Sequence, residues 1–288
     1  MEIQNYIDQK ICLQNSLLDF IDDETGVNNM VFIVPDKSLS FQEYREELRA
    51  FLYLILKISN NHHRYKGFFD RIKQIFLIIK EDINKTFSKP EIFNIFKNNK
   101  RIILTLFETE IIPVDESISK LIIQKSYLQP TKITLFKANN KNDPNYCHYF
   151  YPEIKNFIDN EKKNLIETEL KKLDSRIFNS FNEKRQIGEN DSYISELIRN
   201  DSVKEFISYV NKKSLPLSIR ITTSLFETNQ FLINKEPTLI EYSAFFGSIK
   251  IFHYLMTNKV ELTPSLWIFA IHGQNIDLIR LLEENKIE

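Results

Sequence analysis

The sequence predicts an all-α protein whose C-terminal part is a solenoid of stacked helical hairpins. The first indication is a repeat, because the segment PTLIEYSAFFGSIKIFHYLMTNKVE at 237–261 recurs as PSLWIFAIHGQNIDLIRLLEENKIE at 264–288. The offset is 27 residues, seven positions are identical, and most other apolar positions match apolar ones. A period of 20–50 residues is typical of stacked repeats. The second indication is that apolar residues recur at helix spacing through most of the remaining chain.

Each copy predicts a helical hairpin. Thr238 and Ser265 stand where the first helices begin, and their hydroxyls are expected to cap the free amides of the first turn. Asn258 and Asn285 stand where the second helices end, and we expect them to take the left-handed conformation that a helix stop requires. A hairpin of this size cannot bury its own apolar face, so neighbouring hairpins must cover it.

These residues resemble the ankyrin repeat. Its pattern T-P-L-H-x-A-A-x-x-G, followed by an I-V-x-x-L-L helix, aligns with 238–247 and 251–255, and then with 265–271 and 277–282. The signature Pro and His are replaced by Leu239 and Glu241, the glycine of the second turn by Gln274, and the period is shorter than the usual 33 residues. The amino-acid sequence of 185–288 is similar to those of a protist family in which a domain of unknown function precedes degenerate ankyrin repeats. That resemblance implies a protein-binding surface and brings no known activity.

Two further hairpins are predicted upstream. Residues 192–213 match 238–259 at an offset of 46, with Ser192 at the cap position, so 215–235 forms an insertion between units. Residues 88–112 match more weakly, and an ordinary helical hairpin is an equal alternative there. The polar run 182–190 separates a helical N-terminal region, 1–185, from the repeats at 186–288. Within the N-terminal region, 30–34 is expected to be extended and 129–146 to be a long loop.

Composition excludes several functional classes. The chain contains five glycines in 288 residues, far below the roughly 7% of an average protein. They stand too far apart to form a dinucleotide-binding or phosphate-binding glycine motif. The formal net charge of −1 gives no electrostatic case for nucleic acid. No cofactor is expected. The two cysteines suit a reducing compartment, and neither a signal segment nor an apolar run long enough for a bilayer is present, so a cytoplasmic protein is expected.

Candidate catalytic residues are few. Cys147 and His148 form the one adjacent thiol–imidazole pair, and they suggest a thiol-dependent hydrolase as an alternative function. Sequence neighbours seldom reach catalytic geometry because their side chains diverge, so packing is the preferred interpretation. The pair His62 and His63 lacks metal-ligand partners at suitable spacing.

The preferred function is binding of another protein through the repeat surface. Phe245, Phe246 and His272 occupy the variable positions at the ends of the first helices, which the resemblance implies are partner-contacting positions. The alternative for Phe245 and Phe246 is packing against the 215–235 insertion. Self-association through the C-terminal repeat edge is also expected, because 276–282 has an apolar row with only the preceding unit beside it. A third reading is a structural member of an expanded family without a dedicated partner.

Overall fold

Helices form the regular secondary structure of the residues that the structure describes. The computed structural model describes residues 2–23, 38–61, 67–126, 146–172 and 180–287. Within those ranges there is no β-strand. One isolated antiparallel β-bridge joins Arg220 and Thr238. The prediction of an all-α protein is therefore confirmed. The segments 30–34, 129–145 and His62–His63, for which expectations were stated, lie outside the described residues.

Contacts divide the chain into two compact units, residues 1–121 and 122–288. The boundary predicted at residue 185 concerns the start of the repeat pattern in the sequence, and it stays a prediction. The helices of the first part of the chain are α1 (Glu2–Asp22), α2 (Phe41–Asn61), α3 (Phe68–Thr86), α4 (Lys89–Phe96), α5 (Lys100–Glu108) and α6 (Glu116–Lys125).

The first unit is organised around the apolar face of α3. Ile72, Ile75, Phe76 and Ile79 recur at helix spacing and are all fully buried, as their pattern predicts. Helix α3 contacts α1 and α2, and α2 also contacts α4. At the start of α2, Ser40 and Glu43 exchange the two hydrogen bonds of a capping box.

The second unit contains the remaining described helices. They are α7 (Tyr146–Tyr149), α8 (Tyr151–Ile154), α9 (Asn160–Lys171), α10 (Phe181–Ile187), α11 (Tyr193–Arg199), α12 (Val203–Lys213), α13 (Gln230–Lys235), α14 (Leu239–Phe245), α15 (Ile249–Thr257), α16 (Leu266–His272) and α17 (Ile276–Glu284). Each of the segments 192–213, 238–259 and 265–286 thus contains two helices joined by a short turn. The first helices lie side by side, since α14 contacts both α11 and α16.

The three hairpins share their backbone turns even where their sequences differ. In each hairpin a residue with positive φ joins the two helices, and a second one follows the second helix. Few residues other than glycine adopt this conformation, so its recurrence at matching places marks a common local structure. The joining residues are Asp201, Gly247 and Gln274, with φ of 46°, 66° and 50°, and the later ones are Ser214, Lys259 and Lys286, with φ of 49°, 60° and 48°.

The helix stops differ in detail from the prediction. Asn258 and Asn285 do end their helices, but both keep negative φ, and the left-handed residue is the lysine that follows each of them. Each asparagine instead donates its side-chain amide to a carbonyl four residues earlier, at 2.8 Å for Asn258 and 2.7 Å for Asn285. That carbonyl also accepts the backbone amide of the same asparagine, so the asparagine closes the last turn with two hydrogen bonds and the lysine makes the turn out of the helix.

The helix starts also correct the prediction at two positions. Thr238 accepts a hydrogen bond from the Glu241 amide and completes a capping box, as expected. Ser265 has a helical φ of −61° and makes no such cap. Its hydroxyl instead donates to the Glu241 carboxylate of the neighbouring hairpin, at 2.5 Å. Ser192 stands at the N-cap position of α11, but its hydroxyl contacts that of Ser195.

Polar contacts join the first two hairpins. The carboxylate of Asp201, in the turn between α11 and α12, accepts hydrogen bonds from the Lys250 and Ile251 amides at the start of α15, at 3.1 and 3.0 Å. The Ser248 hydroxyl donates to the carbonyl of Ile198 at 2.5 Å. One hairpin therefore supplies the helix cap of the next, which fixes the register between them.

Ala244 lies at the closest approach between α14 and α16. It is fully buried, and a side chain added at Gly273 would come within 2.4 Å of the Ala244 carbonyl oxygen. We expect Ala244→Leu to lower the free energy of unfolding by about 1–3 kcal/mol through overpacking. Urea unfolding followed by the fluorescence of Trp267, the single tryptophan, checks this. Ala50→Leu, at an exposed position of α2, is the control, and an unchanged midpoint for Ala244→Leu would contradict the close packing.

Candidate interaction surface

An aromatic cluster lies where α14 and α16 end. Phe245 is the last residue of α14, Phe246 follows it, and His272 is the last residue of α16. The Phe245 and Phe246 rings meet edge to face with centroids 5.0 Å apart, and the Phe245 and His272 rings lie 5.6 Å apart. The structure therefore brings together all three residues that the sequence singled out.

Phe245 is a core residue. Only 4% of it is exposed, and its ring stacks on Phe231 with an interplanar angle of 17° and a centroid distance of 5.9 Å. Phe231 belongs to α13, within the 215–235 insertion. Phe245 therefore packs against the 215–235 insertion, as the alternative interpretation predicts, and its contact with a partner stays a prediction.

Phe246 and His272 remain partly exposed. The Phe246 ring packs on Tyr242 at 4.7 Å, and the His272 ring lies 4.3 Å from Phe231. Both side chains therefore pack against neighbouring aromatic rings, of which Tyr242 is buried and Phe231 is partly buried, and both remain partly exposed. Rings held in this way lose little conformational freedom on binding, which suits them to be anchors in an interface.

The insertion contributes a residue that sequence reasoning missed. Phe231 contacts Phe245, Phe269 and His272, so it lies at the centre of the cluster. The Asn229 side chain begins α13 by accepting from the Phe231 and Leu232 amides. An N-cap residue followed by Phe-Leu-Ile was the available signal that the insertion contains a helix with an apolar face.

A buried polar network holds Tyr242, the residue on which the Phe246 ring packs. The Arg199 guanidinium lies 2.7 Å from the Glu189 carboxylate, and it donates to the Asn190 carbonyl at 2.6 Å and to the Tyr242 hydroxyl at 3.2 Å. The Glu227 carboxylate accepts from the Asn190 amide at 3.3 Å. Burial, reinforced by the Glu227 carboxylate, raises the pKa of Tyr242. The Tyr242 hydroxyl, which lies beneath Phe246, is therefore neutral at physiological pH. It accepts the hydrogen bond from Arg199 in a fixed position.

Cys147 and His148 lie inside the second unit. Both belong to the short helix α7 and both have zero exposure. The Cys147 thiol lies 3.9 Å from the Ile122 carbonyl oxygen, which is a weak sulfur hydrogen bond, and its backbone amide donates to the Ser126 hydroxyl at 3.3 Å. A reactive cysteine is typically a partly exposed thiol in an electropositive setting, so these surroundings favour packing.

Two further properties concern the described part of the chain alone. There, no group of three or more His, Cys, Asp or Glu side chains is placed to hold a metal ion. None of the helices in the same ranges is both long enough and apolar enough to cross a membrane.

No protein-family model, curated protein or solved structure matches the chain. The described residues therefore define an all-α protein with a partly exposed aromatic cluster where two helices end.

Proposed function

We propose that this protein binds another protein through a rigid surface formed by stacked, ankyrin-like helical hairpins. The observation that carries the proposal is that Phe246 and His272, both partly exposed, each contact the buried ring of Phe245. The pairing of α11, α14 and α16 supports a solenoid in which the ends of the first helices line one side. Partner specificity then comes from the exposed rings, and the buried ones hold them in position.

Rigidity is the property that suits this surface to binding. The Arg199 network joins α11 to α14, and Asp201 caps a helix of the next hairpin. A surface ordered before the partner arrives avoids the entropy cost of ordering side chains during association. An intracellular setting belongs to the same proposal, because it suits the two free cysteines, Cys12 at the surface and Cys147 inside.

The competing functions make different demands on the molecule. A hydrolase using Cys147 requires its thiol to reach substrate and an orienting base, and the burial of α7 gives no support to that arrangement. A structural member without a dedicated partner would have no use for exposed aromatic anchors. We therefore prefer binding, and the following experiment separates it from the structural alternative.

A photo-crosslinking amino acid placed at residue 246 in living cells tests the proposal. We expect a discrete crosslinked protein, because an aromatic crosslinker there keeps the ring and faces the bound partner. The same crosslinker at Tyr193, which is 50% exposed on α11, is the matched control and should not give that product. The captured protein is then purified and its affinity measured by calorimetry.

Substitution of the two anchors completes the test. Phe246→Ala and His272→Ala should each weaken binding of the purified protein about tenfold or more, as truncation of an interface anchor typically does. Circular dichroism and the unfolding midpoint establish that the variants remain folded. Equal crosslinking at residues 246 and 193, or an unchanged affinity in both variants, contradicts the proposed surface.

A further inference from the structure

A groove lies between α1 and α2 in the first unit. Its volume is about 360 Å³, within the range of about 300–1,000 Å³ that is usual for small-molecule sites. The described residues that line it all lie within 7–14 of α1 or 50–57 of α2. Helix α3 contacts both helices but contributes none of these residues, so the groove is on the side of the helix pair that faces away from α3.

Each wall of the groove is one face of a helix. The lining residues recur at intervals of three and four, which places their side chains on the same side of each helix. On α2 they are Ala50, Tyr53, Leu54 and Lys57, and on α1 they include Ile7 and Ile11. Seven residues of helical rise make each wall about 10 Å long. The groove is therefore two helical turns long, and its walls are mainly apolar.

The apolar side chains on these walls are well exposed. Ile7 and Ile11 are 43% and 51% exposed, and Tyr53 is 48% exposed. The later part of α1 differs, because its residues Leu17 and Ile21 are fully buried. Single exposed apolar residues are ordinary on protein surfaces, whereas several that line one groove indicate a binding site.

The charged side chains that line the groove are both cationic. The Lys10 ammonium is paired with the Glu47 carboxylate of α2. Lys57 is exposed, and it forms no salt bridge with any residue that the structure describes. Tyr53 precedes Lys57 by four residues, so its phenol lies on the same helix face as the ammonium. A small molecule with an apolar body and one negative charge is complementary to this combination.

We propose that the groove between α1 and α2 binds a free medium-chain fatty acid, with its alkyl chain along the apolar walls and its carboxylate at Lys57. The hydrophobic effect favours the covered walls, and the unpaired lysine selects an anion over a cation. The site lies within the first unit, whereas Phe246 and His272 lie in the second. The inference is therefore independent of protein binding through those rings.

The shape of the groove favours this ligand over larger occupants. A helix with its side chains is about 10–12 Å across, so two turns of a partner helix exceed the volume of the groove. A bilayer is contacted by apolar side chains that protrude from a surface, whereas these line a recess. A single alkyl chain is narrow enough to lie between the two walls.

Calorimetric titration of the full chain with sodium decanoate, from about 1 µM to about 1 mM, tests this inference. We expect one saturable site. Decylammonium has the same chain length and the opposite charge, and it should bind about tenfold more weakly because Lys57 repels it. Equal binding of the two compounds, or decanoate binding that does not saturate, overturns the proposal.

Two substitutions assign the site. Lys57→Glu should weaken decanoate binding about tenfold and strengthen decylammonium binding by a similar factor, because it exchanges attraction for repulsion. Ile11→Glu should weaken decanoate binding by at least about tenfold, because it places a charge on the apolar wall. Leu77→Glu is the matched control, since Leu77 is 50% exposed on α3 and lies outside the groove. Circular dichroism establishes that the variants are folded, and equal affinities in Ile11→Glu and Leu77→Glu contradict the assigned site.

Nuclear magnetic resonance of isotope-labelled isoleucine methyl groups locates the ligand. The Ile7 and Ile11 resonances, assigned through Ile7→Leu and Ile11→Leu, should shift on addition of decanoate. The resonance of Ile78, which is 50% exposed on α3, should not. Equal shifts at Ile78 and Ile11 reject the groove as the site. Flotation with vesicles of phosphatidylcholine and phosphatidylserine is the last arm, and a chain that floats with vesicles but does not bind decanoate overturns the proposal in favour of a membrane surface.

Discussion

Arg185→Met should lower the free energy of unfolding of the second unit by about 3–5 kcal/mol, the range typical for removing one partner of a buried ion pair. The Arg185 guanidinium binds the Glu153 carboxylate in bidentate fashion, at 2.7 and 2.9 Å, and it also donates to the Tyr149 carbonyl at 2.9 Å. The Tyr149 hydroxyl returns a bond to the Arg185 carbonyl, at 2.9 Å. The Arg185 side chain is only 6% exposed, so methionine would remove two hydrogen bonds from a shielded carboxylate and one from the Tyr149 carbonyl.

Two further variants separate charge from geometry. Arg185→Lys keeps the positive charge but cannot form the fork of two parallel hydrogen bonds, and it loses the guanidinium packing against the Phe181 ring. We expect it to be less destabilising than Arg185→Met. Arg280→Met, at an exposed position of α17, should change the free energy by no more than about 0.5 kcal/mol. Urea unfolding curves measure all three, and equal midpoints for Arg185→Met and Arg280→Met would contradict the role given to the buried arginine.

Gly273→Ala should destabilise the second unit by about 3 kcal/mol, at the upper end of the usual overpacking range. Gly273 has a φ of −71°, at which alanine is ordinarily preferred because it restricts the unfolded chain. The added Cβ, however, would lie 2.4 Å from the Ala244 carbonyl oxygen and 2.9 Å from that of Phe245. Both obstacles are backbone atoms of α14, so relief requires α14 and α16 to separate.

The sign of the effect makes this experiment decisive. An unobstructed Gly→Ala change at this backbone conformation stabilises by about 0.4–1 kcal/mol. Asn200→Ala, at the matching exposed position after α11, is the control and should be close to neutral. Trp267 lies on α16 and reports unfolding there directly. A Gly273→Ala chain that is more stable than the original would show that the two helices are farther apart than the structure places them.

The sequence was most informative where a short-range pattern decides the structure. The hairpins follow from helical spacing and the 27-residue offset, and the requirement for a small residue at Ala244 follows from the repeat pattern. The sequence is a poorer guide to the backbone turns. It predicts that Asn258 adopts the left-handed conformation that ends the helix, whereas Lys259 adopts it. The side chain of an asparagine can also donate to a carbonyl of its own helix, and Asn258 does so to Tyr254 while keeping negative φ.

The spacing of residues along the sequence does not predict contacts between distant segments. Phe245 is covered by Phe231 from an insertion that has no counterpart at the 27-residue offset. Arg185 and Glu153 are 32 residues apart, and nothing in the local pattern of either pairs them. Gly273 resembles a turn glycine in sequence, and only the approach of α14 shows that its role is steric. Each of these depends on tertiary packing, which local pattern does not encode.

The turns of the three hairpins carry a lesson for recognising such units in other chains. Asp201, Gly247 and Gln274 share no chemistry, yet each occupies the same region of backbone dihedral space at the same place in its hairpin. A search that requires glycine there finds one hairpin of the three. A search based on backbone dihedral angles, with any residue type allowed, recognises all three. Such a search would also find repeat arrays whose sequences have diverged further than these.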